Sequence, residues 1–283
     1  MSPFLRAAVT AGLVLSGGAA VAALAPIGSG DAEWAPSEAP GPLAQQARPQ
    51  AHETSGRFPF YWTRGVYSDY RGGYGYGYGW GRGGNSWATD YPKSDRQFVT
   101  VLKRLVRLNV SDWENAIELD NPDLRRFPVL YMVEVGRMDL TDEEVEGLRS
   151  YLDAGGFLIV DDFWGMREWQ VFEENFRRVY PGKAIVELPL EHPLFSAYYK
   201  IDEVKQVPAR GRGIRGRPTT ECGGCEATVR GVFDDDGRLM VIINWNTDLG
   251  DAWEWAEDPI YPLEYSTYAY EMGANMIVYA MSH

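Results

Sequence analysis

Two adjacent carboxylates, Asp161 and Asp162, follow a short apolar run, Phe157–Val160. The run is typical of a buried strand, and in an open α/β sheet ligands bind beyond the carboxyl ends of the strands. Two close carboxylates can take different protonation states and act as acid and base on a glycosidic bond. Asp161 and Asp162 are therefore candidate catalytic residues, together with Glu134, which follows another apolar run.

Further polar and aromatic side chains follow predicted strands and are candidates for ligand binding. They are Arg64, Trp164, Asn246, Asp248, Asp251 and Trp253. If these side chains converge, their oxygens would suit a hard divalent cation such as Ca²⁺ or Mg²⁺, with Asp161, Asp162 and Asp248 as candidate metal ligands. The tryptophans would suit the face of a sugar. The alternative is structural, because Asp162 can cap the following helix and Asp248 and Asp251 can form a turn.

The order of elements predicts an α/β fold with a doubly wound, mostly parallel sheet, because strands and helices alternate with short connections. The predicted strands cover residues 58–67, 115–119, 127–134, 157–160 and 184–188. Capping boxes at Ser94 and Thr141 open two of the helices, and a third runs from about Trp169 to Val179. A β-hairpin around an Asp-Gly turn and a terminal helix from about Tyr265 to Met281 complete the predicted domain.

The first residues predict export. Residues 1–25 carry a basic start and an apolar run that ends in small residues, as in a secretory signal peptide. An uncleaved N-terminal membrane anchor is the alternative, and it would be the chain's only contact with a membrane. Residues 26–56 form a predicted disordered linker rich in Ala and Pro, and residues 57–283 form the folded domain, with a Gly/Tyr-rich loop at 71–84. The predicted location is periplasmic or secreted.

The formal net charge of −13 argues against nucleic acid as a partner, since binding to its backbone needs a positive surface. The basic run at 210–217 is more typical of a solvated loop. A protein of the cell envelope or a carbohydrate ligand is the expected partner.

The two cysteines, Cys222 and Cys225, form a Cys-Gly-Gly-Cys segment. In an oxidising compartment such a pair can form a local disulfide, and a pair of free thiols is the alternative. The acidic neighbours Glu221 and Glu226 would raise a thiol pKa, which argues against a redox-active pair. Two cysteines alone also make an incomplete zinc site.

Five segments in order resemble a bacterial family, the domain-of-unknown-function family 4159. They are Thr89–Pro92, Tyr131–Val135, Leu140–Glu144, Gly155–Phe163 and Asp248–Trp255, and the resemblance covers residues 57–283. It implies a class I glutamine amidotransferase-like, flavodoxin-like fold. A more distant similarity to the ThuA-like group rests on the helix, Gly-Gly, strand element and on the His192-Pro193 segment. The family supplies a fold and an exported context without a reaction.

The chain departs from the amidotransferases at the position of their nucleophile. Where they carry a cysteine after the strand, this sequence has Asp161 and Asp162, and neither of its cysteines is near in sequence. A nucleophilic site needs a base within hydrogen-bond reach, so amidotransferase activity is not expected. The sequence favours a non-catalytic binding module of the cell envelope. A carboxylate-dependent hydrolase acting on carbohydrate, with or without a divalent cation, is the alternative.

Overall fold

The computed structural model describes residues 60–70, 86–106, 108–213 and 217–283. The predicted signal segment, the linker at 26–56 and the Gly/Tyr-rich loop at 71–84 lie outside these residues. Among the helices in this part of the chain, none has the length and hydropathy that spanning a bilayer requires.

A seven-stranded sheet forms the centre of the domain. Its strands are β1 (Thr63–Val66), β2 (Asn115–Glu118), β3 (Val129–Val133), β4 (Phe157–Asp161), β5 (Val186–Glu187), β6 (Thr228–Phe233) and β7 (Leu239–Trp245). The strand order is β2-β1-β3-β4-β7-β6-β5. The first five strands in this order are parallel, and β6 pairs antiparallel with both β7 and β5. The parallel part has the order of a doubly wound sheet, which confirms the predicted fold class.

Within the described ranges, five α-helices cover the two faces of the sheet. They are α1 (Lys93–Leu105), α2 (Asp142–Asp153), α3 (Gly165–Val179), α4 (Leu249–Glu254) and α5 (Leu263–Ser282). In β4, Phe157 and Ile159 pack into the core beneath α1, α4 and α5, whereas Leu158 and Val160 pack beneath α2 and α3. Strands buried on both faces are nearly continuously apolar, which is why the sequence pattern located β3 and β4 well.

The predicted capping boxes have different outcomes. At the start of α2, Thr141 Oγ1 accepts a hydrogen bond from Glu144 N at 3.2 Å, and Glu144 Oε2 accepts one from Thr141 N at 2.8 Å, so this box is confirmed. The box at Ser94 is wrong. Helix α1 begins at Lys93 without a side-chain cap, and Ser94 and Asp95 lie inside its first turn, where both bind a buried arginine.

Other boundaries differ by several residues. Residues 58 and 59 of the predicted first strand lie outside the described residues, and within them β1 begins at Thr63. Helix α3 begins at Gly165 rather than near Trp169. The predicted strand at 184–188 is the two-residue, exposed edge strand β5. The alternative in which Asp248 and Asp251 bond within a turn is confirmed in part, because Asp248 Oδ1 accepts a hydrogen bond from Asp251 N and the segment caps and opens helix α4. The hairpin β6–β7 and the terminal helix are confirmed.

Candidate functional site

Three neighbouring parallel strands end in the same way. Directly after β3, β4 and β7, the chain enters the left-handed region at Glu134 (φ 53°), Asp162 (φ 50°) and Asn246 (φ 62°). Asp90 (φ 60°) is the fourth such residue other than glycine within the described ranges. Residues with side chains adopt this conformation at a cost, and such strain concentrates at functional sites. The repeated conformation therefore marks the carboxyl edge of the sheet.

Three carboxylates meet at this edge, and we call Asp90, Asp162 and Asp248 the acidic cluster. One oxygen of each lies within 4.8 Å of the others. Asp162 is 7% exposed and Asp248 is 3% exposed. Asp90 also belongs to a second group of the same spacing, with Asp251 and Glu254, so its carboxylate lies between the two groups.

Little in the described residues compensates the charge of the acidic cluster. Asp162 Oδ1 accepts a hydrogen bond from Trp164 Nε1 at 3.0 Å, and Asp248 Oδ1 accepts one from Asp251 N at 2.7 Å. No Lys or Arg in the described ranges forms an ion pair with these aspartates. Burial, followed by repulsion from neighbouring carboxylates, raises the pKa of Asp90, Asp162 and Asp248 well above the ordinary value. The cluster thus needs protons or a bound cation at neutral pH.

Arg64 holds the segment that carries Asp90. Its side chain is fully buried. It donates hydrogen bonds to the carbonyl oxygens of Trp87 and Thr89, to Ser94 Oγ, and to both carboxylate oxygens of Asp95, with Nη2 at 2.5 Å from Oδ2. These contacts use all the donors of the guanidinium. Arg64 thereby fixes both sides of the loop around Asp90, and its contact with a ligand stays a prediction.

Asp161 lies behind the acidic cluster and anchors helix α4. It is fully buried, and its Oδ2 accepts hydrogen bonds from Tyr131 Oη at 2.7 Å, Leu249 N at 2.9 Å and Gly250 N at 3.1 Å. Burial raises the pKa of Asp161 to about 7 in spite of these bonds. Gly250 packs tightly here, since a Cβ atom on it would lie 3.2 Å from Tyr131 Oη and 3.3 Å from Asp90 Oδ2.

Glu134 lies on the other side of Asp162. Its backbone N–H donates to Asp162 O at 3.0 Å, and its Oε2 lies 3.2 Å from Nε of Arg137. Burial raises the pKa of Glu134 to about 7, and the pairing with Arg137 opposes this shift. Among the predicted catalytic residues, Glu134 thus lies beside Asp162 along the backbone and has a pKa near neutrality, as Asp161 does.

Asn246 connects the end of β7 to two other segments. Its Oδ1 accepts a hydrogen bond from Gly165 N at 2.8 Å, at the start of α3, and its Nδ2 donates to Glu226 O at 2.7 Å. Cys222 and Cys225 form a disulfide with Cα atoms 5.8 Å apart, and Cys222 Sγ lies 3.7 Å from Asn246 Oδ1. Both ends of the Asn246 side chain are used within the protein, so its role is to position the edge.

The sequence pattern of a domain of unknown function, DUF4159, matches residues 76–281. The chain belongs to this family. The comparison with curated proteins found no match. The DUF4159 segment contains the whole acidic cluster, and Arg64 lies before it. The resemblance noted in the sequence is therefore confirmed at the level of the family.

Three predicted site residues of this DUF4159 domain remain, and they are Trp164, Asp251 and Trp253. Trp164 donates to the acidic cluster and is mostly buried. Asp251 accepts hydrogen bonds from Arg210 N and from Trp255 Nε1, and burial raises its pKa to about 6. Trp253 is fully buried, with its ring centroid 4.2 Å from that of Phe98. The ring of Trp253 belongs to the core, and its contact with a ligand stays a prediction.

Sequence reasoning missed two carboxylates, Asp90 and Glu254. Asp90 lies in the connection between β1 and α1, so a search for acidic residues at strand ends passes over it. Glu254 lies at the end of α4, a helix that the sequence pattern does not predict. The Thr89–Pro92 segment, an acidic residue before Tyr-Pro, was the available signal for Asp90.

Proposed function

We propose that this DUF4159 domain binds a divalent cation through the acidic cluster and uses it to hold a ligand in the cell envelope. The observation that carries the proposal is the approach of three carboxylates to within 4.8 Å, two of them almost completely buried. Charged groups are buried only when they are paired or coordinate a metal. The cluster has no pairing cation among the described side chains.

The chemistry of the ligands supports a hard divalent cation, Ca²⁺ or Mg²⁺, because all three groups offer carboxylate oxygens. Oxygens within 4.8 Å of one another can contact a common ion of either kind. We propose Ca²⁺ first, because it accepts irregular coordination, whereas Mg²⁺ demands nearly ideal octahedral geometry. Water or the ligand would complete the coordination shell in either case.

A binding role fits the rest of the edge. Arg64 and Asn246 use their polar atoms in contacts within the domain, so they hold the cluster in place. Asp161 Oδ2 anchors helix α4, whereas its buried Oδ1 has no hydrogen-bond partner among the described residues. The predicted export supports a cation of this type, because extracellular Ca²⁺ modules operate with dissociation constants of about 10⁻⁴–10⁻³ M. The ligand class that we propose is a carbohydrate or an acidic partner of the envelope, whose oxygens would occupy the open positions on the cation.

A hydrolase acting on carbohydrate is the second candidate, and one observation favours it. Glu134 has a pKa raised to about 7 and lies beside Asp162, which matches a general acid next to a second carboxyl group. Glu134→Gln should abolish hydrolysis of envelope polysaccharides if this activity exists, while cation binding remains. Unchanged hydrolysis in Glu134→Gln, or none with the wild-type chain, would remove this candidate.

Thermal unfolding tests the cation proposal. EDTA-treated protein should gain stability with millimolar Ca²⁺ by mass action, about 2.7 kcal/mol when the cation is at 100 times its dissociation constant. The double variant Asp162→Asn, Asp248→Asn should lose this gain. A matched control, Glu143→Gln with Glu174→Gln, removes two exposed carboxylates and should keep it. Equal gains in both double variants would contradict the proposal.

A further inference from the structure

Arg230 of β6 is a partly buried arginine whose guanidinium lies against two tryptophans. Its Cζ lies 4.3 Å from the ring centroid of Trp169 and 4.4 Å from that of Trp245. Both rings are more than nine-tenths buried. Stacking of this kind holds the planar guanidinium in one orientation while leaving its N–H groups free to donate.

In the part of the chain that the structure describes, Arg230 forms neither a hydrogen bond nor an ion pair. The other arginines that are at least partly buried all have acceptors: Arg64, Arg149, Arg212 and Arg238. The acidic residues that influence Arg230 electrostatically are Glu187 and Glu173, and neither forms an ion pair with it. Five N–H donors are therefore available on a side chain that is already held in place.

Two more polar atoms without partners lie on the same face of the sheet. Thr228 Oγ1 and Trp245 Nε1 are buried and have no hydrogen-bond partner among the described residues. Thr228 lies directly opposite Trp245 in the β6–β7 ladder, so their side chains are neighbours on one face. Arg230 follows Thr228 by two positions and shares that face. Buried polar groups without partners are rare in folded proteins and call for an explanation.

We propose that Arg230, Thr228 and Trp245 form a binding site for an oxyanion group of a ligand, a carboxylate or a phosphate. All three side chains can donate hydrogen bonds, and an oxyanion supplies only acceptors. The flat fork of the guanidinium matches two oxygens of either group. The site lies on the face covered by α3 and shares no residue with the acidic cluster. It therefore does not depend on the proposed cation site.

Titration with two probes tests this site in the full chain. Inorganic phosphate and glucuronate, each at constant ionic strength with chloride as the control, should shift the indole N–H resonance of Trp245 in a saturable way. Arg230→Gln should weaken the binding at least about tenfold, since hydrogen bonds to charged groups contribute most. Arg230→Lys keeps the charge and loses the planar fork of the guanidinium. Its affinity for the probes should lie between that of the wild-type chain and that of Arg230→Gln. The probe that binds more tightly identifies the group.

A second variant keeps the test valid if Arg230→Gln fails to fold. Thr228→Val keeps the shape of the side chain and removes its hydroxyl, and it should weaken binding about threefold to tenfold. Circular dichroism checks that each variant is folded. The proposal is overturned if neither probe gives a saturable shift up to tens of millimolar, or if the folded variants bind as well as the wild-type chain.

Discussion

The carboxylates of Asp90 and Asp162 approach to within 4.8 Å of each other, although Asp90 precedes α1 and Asp162 follows β4. A different feature of the chain places each of the two carboxylates at the edge of the sheet. Asp90 sits in a loop held on both sides by the buried Arg64, and Asp162 leaves β4 in a left-handed conformation. Two carboxyl groups that are brought together by independent arrangements of the chain are consistent with the proposed cation site.

The Arg64 clamp is expected to be a large contributor to stability. Arg64→Met leaves Asp95 buried without its partner, and removing one member of a buried ion pair costs about 3–5 kcal/mol. Urea denaturation should show this loss, and adding Asp95→Leu should recover much of it because the uncompensated charge is then gone. A loss below about 1 kcal/mol in Arg64→Met would show that the pair is dispensable.

The metal-free domain should lose stability as the pH rises from about 4 to about 7. The pKa of Asp161 is raised to about 7 and that of Asp251 to about 6, above the ordinary value. The folded state therefore holds protons that the unfolded state releases, which favours folding at the acidic end of this range.

Asp161→Asn isolates this contribution. The free energy of unfolding is measured by urea titration in EDTA at a series of pH values. Its slope against pH should differ between wild type and variant by about 1 kcal/mol per pH unit near pH 5–6. Equal slopes would mean that Asp161 titrates normally, and a difference of the opposite sign would mean that its pKa is lowered by folding.

Asn246 separates backbone strain from side-chain bonding. Asn246→Gly removes the side chain but accepts the φ of 62° without cost, whereas Asn246→Ala loses the side chain and keeps the strain. Both variants should be less stable than wild type, and the alanine variant should be less stable than the glycine variant by about 1 kcal/mol. The opposite order would show that the left-handed conformation is not strained.

The cap of α2 provides a prediction that is independent of the site. Thr141→Ala removes the capping hydrogen bond and should cost about 1 kcal/mol. Thr100→Ala is the matched control, because Thr100 Oγ1 donates only to Arg96 O within α1 and alanine favours a helix. Thermal unfolding should place Thr141→Ala below wild type and Thr100→Ala at or above it. Equal losses would contradict the capping role.

The sequence predicted the parts of the fold that depend on local pattern. The apolar runs of β3 and β4, the Thr141 cap and the β6–β7 hairpin all carry signals within a few residues. The sequence around Ser94 has the same pattern, but the cap predicted there is wrong. The side chains of Ser94 and Asp95 instead accept hydrogen bonds from the buried Arg64, which is about thirty residues away in sequence. A tertiary ion pair of this kind has no local signal.

The sequence predicted only part of the acidic cluster, because tertiary contacts also decide where these side chains point. Strand ends located Asp162 and Asp248, since parallel strands present their carboxyl ends at one edge. The same rule also selected Asp161, whose side chain turns instead toward Tyr131 and the first turn of α4. The rule did not select Asp90, because Asp90 lies in a loop before α1 and not directly after a strand. Which face a strand-end residue chooses depends on the elements packed there, and one sequence does not show that.

The metal content of the purified chain tests the central claim most directly. After equilibrium dialysis against millimolar Ca²⁺ at neutral pH, elemental analysis should find at least one bound ion per wild-type chain, as expected for a site of three carboxylates. Asp162→Asn with Asp248→Asn should lose this ion, while the control with Glu143→Gln and Glu174→Gln retains it. No Ca²⁺ on the wild-type chain above the level of the double aspartate variant would contradict the proposed function.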